Sequence, residues 1–187
     1  MPYADHLRAL FPSLELRVAD LFALEAHQIA ELPTRAPDRE LAEVLHAHPE
    51  FRTFLEVRHP PIAGHLTRVL AAHPPAAAAA LETSEQDLLW EIGDLLVYTT
   101  APELFDALAM NDWDPRVITD LVDLDGMTVI DAGAGTGKVA FGVVGQARHV
   151  YAVEPVTRLR QFMRDKAALS GVANLFVLDG TLDAIPL

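Results

Sequence analysis

The sequence predicts an α/β protein in two parts: a helical N-terminal region over residues 1–110, then, over 111–187, the first half (β-α-β-α-β) of a doubly wound parallel sheet. Three observations carry this reading. Apolar residues recur at helical spacing through the first hundred positions. Prolines and small polar caps punctuate them. Beyond Gly126, short β-branched runs alternate with helical segments, and that rhythm implies parallel strands joined by right-handed crossovers.

The first helix is expected between Ser13 and Leu32, where Leu14, Val18, Leu21, Phe22, Ile29 and Leu32 share one face, Ser13 caps the start and Pro33 stops it. Shorter helices follow at Asp38 to Ala47 and Ile62 to Ala72, separated by Pro49 and by Pro60-Pro61. Pro74 to Ala80 reads as a loop into a helix start, and Ser84-Glu85-Gln86-Asp87 as a capping box ahead of a stripe of Leu88, Ile92, Leu95 and Leu96. Pro102 stands in a first turn before Leu104, Phe105 and Leu108. Asp114-Pro115 offers an N-cap and a first-turn proline for a helix to Val122, with Val117, Ile118, Leu121 and Val122 behind it.

From Asp125-Gly126 the texture changes. Met127 to Ala132 predicts a strand, followed by a glycine cluster and a helix from Lys138. His149 to Val153 is the second strand, Pro155 to Ser170 a helix stopped by Gly171, and Leu175 to Leu178 the third strand.

Composition removes several function classes. With 187 residues, 51% hydrophobic and 22% charged, the chain folds rather than staying disordered. Fourteen basic against 27 acidic residues give a net charge of −13, which repels phosphate backbones and argues against a nucleic-acid partner. Without a single cysteine there is no disulfide framework, thiolate zinc site or thiol nucleophile. Asp5 and His6 interrupt the start where a secretory signal would run. The apolar stretch Ala76 to Leu81 is far too short for a membrane helix. The expectation is a soluble, cytoplasmic protein with no membrane contact.

Chemistry concentrates in Val129-Ile130-Asp131-Ala132-Gly133-Ala134-Gly135-Thr136-Gly137. Alternating glycines let the backbone turn sharply from strand to helix and approach a ligand with no Cβ in the way. Glu154 ends the next strand, where a carboxylate can accept both hydroxyls of a ribose. A phosphate-binding P-loop would need glycine at position 132 and a hydroxyl residue at 139; the chain has Ala132 and Val139. A dinucleotide fingerprint would need its third glycine at 138, which is Lys138. A tight strand-to-helix turn with no ligand is the plain alternative.

The stretch resembles motif I of the class I S-adenosylmethionine-dependent methyltransferases (methyltransferase type 11-like), a hydrophobic strand ending in Asp/Glu-x-Gly-x-Gly-x-Gly. Glu154, in Tyr151-Ala152-Val153-Glu154-Pro155, matches the family's ribose-binding acid. Gly180-Thr181-Leu182-Asp183-Ala184-Ile185-Pro186 resembles the segment whose loop contacts adenine. The resemblance covers roughly residues 111–187. It implies a Rossmann-like domain and S-adenosylmethionine as cofactor, with S-adenosylhomocysteine as product. The implied cofactor-binding residues are Asp131, Ala132, Gly133, Ala134, Gly135, Gly137, Glu154, Pro155, Asp179, Gly180, Thr181 and Leu182. Asp179 and Thr181 remain alternatives beside the adenine.

The resemblance further implies methyl transfer to a small molecule or a protein, and identifies no catalytic residue. The alternatives are a non-catalytic S-adenosylmethionine-binding or interaction module and, more distantly, a nicotinamide dehydrogenase. A family domain continues through a second half that places strand 4 beside strand 1, so the chain is expected to be an amino-terminal fragment. Strand 1 then has a bare edge, through which, or through the helical region, the chain could form a homo-oligomer.

The remaining charged groups read as ordinary surface. Arg158, Arg160, Arg164 and Lys166 form a basic cluster best read as a solvated helix face, and Lys138 as a solvated first-turn residue. His46, His48 and His59 satisfy no metal spacing. Val69 to Pro115 carries no Lys or Arg and reads as an acidic, solvated helix surface. Tyr98 and Trp113 read as core or interface aromatics.

Overall fold

The computed structural model describes residues 3–109 and 112–187. The chain divides into two compact units, Met1–Thr100 and Ala101–Leu187. The boundary expected at 110/111 falls on the two positions outside the described residues. The division comes earlier because the helix Pro102–Asp106 packs against the helix Thr157–Leu169 of the second unit.

The first unit is helical: α1 (Tyr3–Leu10), α2 (Ala26–Ile29), α3 (Leu32–Arg35), α4 (Asp38–Ala47), α5 (Pro49–Arg58), α6 (Ala63–Ala72), α7 (Ala78–Glu91) and α8 (Gly93–Thr100). Helix α4 packs against α6 and α7. Leu41, Val44 and Leu45 of α4 and Leu88, Leu89, Ile92 and Leu96 around α7 and α8 are buried in its core. Phe22, Phe51 and Phe54 add an aromatic cluster, with Phe22 5.6 Å and 5.3 Å from the other two rings. Arg35 fixes α3 to α8 through a 2.5 Å ion pair with Asp94.

Three sequence expectations change here. The single helix from Ser13 to Leu32 is instead a 3-10 turn, Val18–Ala23, followed by α2 and α3. Two local boxes restart the chain: the Arg17 N–H donates to Asp20 at 2.8 Å, and the Glu25 N–H to Gln28 at 3.0 Å. Pro33 lies inside α3, and Pro49 begins α5 instead of separating helices. His48, before Pro49, holds φ −126° and ψ 72°, because a residue preceding proline is pushed out of the helical region; His59 before Pro60 behaves alike. Ser84 caps nothing. It is buried in the middle of α7, where its hydroxyl donates to Glu43 and to the Ala80 carbonyl.

The second unit contains α9 (Pro102–Asp106), α10 (Arg116–Thr119), β1 (Thr128–Ala132), α11 (Lys138–Val143), β2 (His149–Val153), α12 (Thr157–Leu169) and β3 (Leu175–Leu178). The strands form a parallel sheet in the order β1-β2-β3, a Rossmann-like half-sheet. Val150 and Ala152 pack with Ala140 and Val143 of α11 and Met163 of α12, and Val129, Leu175 and Val177 complete this covered face. On the opposite face Ile130, Tyr151 and Phe176 are in register across all three strands. Tyr151 and Phe176 stack at 5.2 Å, and Ile130 and Phe176 stay 48% and 41% exposed.

Helix α10 is shorter than the expected Asp114–Val122 helix, and Val117, Leu121 and Val122 are exposed; only Ile118 reaches the core. Gly171 ends α12 at φ 66°, as the sequence suggests. No helix of the described residues is long and apolar enough to cross a membrane.

Candidate functional site

The carboxyl ends of three parallel strands and the loops leaving them are where an open α/β sheet places its ligand. Here β1 runs through Asp131 and Ala132 into the loop 133–137, β2 ends at Val153 before Glu154, and β3 ends at Leu178 before Asp179.

The glycines differ in what they do. Gly133 and Gly135 have φ 77° and 57°, and a Cβ on either would meet nothing within 4 Å, so their outer side is open to a ligand. Gly137 also has a positive φ, 81°, but a Cβ there would lie 3.0 Å from Met163 and Phe141. Its role is to let the loop close onto α12. Ala134 is buried in the core cluster. Gly180 serves packing too: a Cβ would sit 2.8 Å from the Ala184 carbonyl and 2.9 Å from Val153.

The loop uses its own backbone donors. Gly133 and Ala134 N–H groups donate to the Val153 carbonyl at 2.8 and 3.1 Å, and the Gly137 N–H to Ala134 at 2.8 Å. The Gly135 N–H donates to Glu154 Oε2 at 2.9 Å. Glu154 is buried, and its other oxygen accepts the Val156 N–H at 2.9 Å. Asp131 Oδ2 accepts the Ala140 N–H at 3.0 Å inside the first turns of α11. Burial pushes the Asp131 carboxyl above its ordinary range, and the Ala140 bond only partly offsets this.

Two carboxylates therefore stand where a phosphate-binding loop presents unsatisfied N–H groups. The lost donors and added negative charge disfavour a pyrophosphate. They suit a ligand that brings hydroxyls and a positive charge.

Of the other residues singled out, Ala132 is the last β1 residue and pairs with Val153. The Pro155 carbonyl accepts a hydrogen bond from Arg160 at 2.6 Å. Asp179 lies at the open rim, its side chain 73% exposed and 2.9 Å from Arg160. Thr181 pairs with Ala184 in a tight turn, and Leu182 is exposed. The structure thus brings Asp131, Gly133, Gly135 and Glu154 together, with Asp179 on the neighbouring strand end.

The basic cluster departs from expectation in part: Arg158 and Arg164 are exposed as read, and Arg160 is not. Arg160 is buried, because its position continues the stripe Val156, Met163 and Ala167 on the inner face of α12. That spacing is the signal by which the sequence could have revealed it. Arg164 donates to the Val177 carbonyl at 2.9 Å. Lys166 pairs with Asp106 at 3.2 Å, and Lys138 lies 3.7 Å from the same carboxylate, so neither lysine is simply solvated. Trp113 packs with Pro115 against Gly142. Among the described residues, no group of three or more His, Asp or Glu side chains is placed to hold a metal ion.

No protein-family model matches the chain, and no curated protein matches it. Among solved structures, the chain is similar to the YcgJ protein from Bacillus subtilis, with 20% identity and a TM-score of 0.38, over 40% of this chain and 32% of that one. It is also similar to a SAM-dependent methyltransferase from Aquifex aeolicus, with 27% identity and a TM-score of 0.41, over 46% of this chain and 47% of that one. The matches span about a third to a half of those proteins.

Proposed function

We propose that the chain binds S-adenosylmethionine at the ends of β1, β2 and β3 and serves methyl transfer to a small molecule or a protein. The observation that carries this reading is the pair of carboxylates, Asp131 and Glu154, around a glycine loop whose N–H groups at 133, 134, 135 and 137 are already engaged. Such a loop suits ribose hydroxyls and a cationic amino-acid end, and it rejects phosphate.

When bound, the cofactor supplies an electrophilic sulfonium methyl. Glu154 accepts the ribose hydroxyls, Asp131 faces the positively charged methionine end, and the open side of Gly133 and Gly135 admits the ligand close to the backbone. Asp179, on the exposed rim, accepts from the base, with Thr181, whose backbone pairs with Ala184, two residues on. The chain's contribution to transfer is to align the methyl with an incoming nucleophile and exclude water from the line of attack. The net charge of −13 favours an acceptor other than nucleic acid.

Calorimetric titration of the 187-residue protein with S-adenosylhomocysteine tests the site, followed by methyl-transfer assays on small-molecule and protein acceptors. Saturable binding is expected. A melting temperature raised by NAD and unmoved by S-adenosylmethionine would overturn the reading. Binding without transfer to any acceptor would leave a cofactor-binding module.

A further inference from the structure

We propose that Arg160 is the positioning residue of the nucleoside site, clamping the ends of β2 and β3 at one spacing and so setting a preference for a 6-aminopurine base. This rests on the cofactor reading given above.

The last ladder bond between these strands runs from the Glu154 N–H to the Leu178 carbonyl at 3.1 Å. Past it, the Arg160 guanidinium provides the link. It donates to the Glu154 carbonyl at 2.8 Å, to the Pro155 carbonyl at 2.6 Å and to the Thr157 hydroxyl at 3.1 Å, and it pairs with Asp179 Oδ1 at 2.9 Å. The Arg160 side chain is only 9% exposed. Burying a guanidinium is unfavourable unless its donors are met, and an aliphatic residue would fill the stripe on α12 without that penalty. What an arginine adds is a guanidinium whose Nη1 stands within reach of both strand ends, Glu154 and Pro155 on one side and Asp179 on the other, while Nη2 is tied to Thr157.

The consequence falls on Asp179. Its carboxylate is exposed to an incoming ligand, and one oxygen stands 2.9 Å from Arg160, an ion pair that draws the group toward one place at the strand end. An acceptor drawn to the strand end beside the ribose-binding Glu154 favours a base that donates an amine there and opposes a base that presents a carbonyl. Neighbouring basic residues do not share this duty, since Arg164 serves the β3 edge and Lys166 serves Asp106.

The test titrates the full chain with S-adenosylhomocysteine and with S-inosylhomocysteine, in the wild type and in the Arg160→Met and Asp179→Asn variants, with thermal melts alongside. The wild type is expected to bind the adenosyl ligand about tenfold or more tightly over the inosyl one, the discrimination a lost hydrogen bond carries. Both variants should bring the two affinities to within about twofold of each other, because an unclamped carboxylate, or an amide that can turn, no longer distinguishes amine from carbonyl.

A merely structural arginine predicts a different pattern: both affinities fall together and their ratio survives, which would overturn the proposal. If Arg160→Met fails to fold, Asp179→Asn decides, since that side chain is at the surface; an unchanged ratio there is equally fatal. Wild-type protein binding both ligands without preference would sink the clamp and leave the cofactor site standing. Wild-type protein binding neither would remove both.

Discussion

The carboxylate of Glu154 accepts the backbone N–H of Gly135 at 2.9 Å, so the residue read as a ribose acceptor also holds the glycine loop in shape. Through Val156 it fixes the start of the following crossover as well. The two duties separate by substitution. Glu154→Ala leaves the Gly135 and Val156 donors without their acceptor and should lower both stability and S-adenosylhomocysteine affinity, each by about 1–3 kcal/mol. Glu154→Gln keeps one of the two acceptors that Gly135 and Val156 use and should lose affinity with a smaller change in melting temperature than Glu154→Ala. Equal affinity in all three proteins, measured by calorimetry, would place the ribose elsewhere.

The glycine loop predicts an order of stabilities. Gly133→Ala places a side chain at positive φ in open space and should cost about 1–2 kcal/mol from backbone strain. Gly137→Ala adds 3.0 Å encounters with Met163 and Phe141 to the same strain and should cost more. Urea denaturation of the two variants reads the order directly. A Gly137→Ala protein as stable as Gly133→Ala would mean that α12 yields without penalty.

Asp131 carries its charge at the expense of the fold. Its carboxyl is raised above its unfolded value, so the ionised form is unfavourable in the folded state; stability contributed by this group is present below the ordinary carboxylate value and is lost as pH rises through the raised one. Asp131→Asn keeps an acceptor for the Ala140 N–H and removes the buried charge. The melting temperature at pH 7 should therefore rise while S-adenosylmethionine affinity falls. A lowered melting temperature would show that the carboxylate is stabilising where it lies.

His65 gives the opposite slope in the helical unit. It is 8% exposed, and its Nε2 has no hydrogen-bond partner. Burial foremost, then the Arg68 guanidinium 2.7 Å from Nδ1, pushes the imidazole below its ordinary value, and Asp38 at 3.7 Å only partly offsets this. The unfolded chain then binds the proton more readily, so stability is full above about pH 6.5 and is lost as pH falls from there through the depressed folded value. Urea midpoints between about pH 7.5 and 5.5 should decline more steeply for the wild type than for His65→Leu. Parallel declines would assign the acid sensitivity to other groups.

What the sequence revealed, and what it hid, follows from how local each signal is. His149–Val153, Leu175–Leu178 and Asp38–Ala47 were legible residue for residue, because β-branched runs or apolar stripes with clear boundaries mark them. Pro49 and Pro33 misled because proline ends one helix and opens another with the same ring, and only the neighbouring packing decides which. Ser84-Glu85-Gln86-Asp87 carried the pattern of a helix start, yet Glu43 on another helix draws the Ser84 hydroxyl into the interior. At the site, Asp131, the glycines and Glu154 were visible as a motif. The packing roles of Gly137 and Gly180 were not, since each depends on atoms from a distant part of the chain. Arg160 was hidden by its charge: among Arg158, Arg164 and Lys166 it looked like one more solvated group, although its spacing placed it on the buried stripe.

The uncovered sheet face has a consequence for how the protein behaves in a tube. Ile130, Tyr151 and Phe176 line up across three strands as a ridge of oily surface that water wets poorly. At pH 7 the net charge of −13 keeps copies of the molecule apart by repulsion acting from elsewhere on the surface. Near the isoelectric point of about 4.8 that repulsion vanishes, and concentrated salt shortens its reach to a few ångströms. Colloidal stability is therefore governed by carboxylates that never touch the ridge, and a single Phe176→Lys exchange should widen the soluble range of pH and salt without altering the fold beneath it.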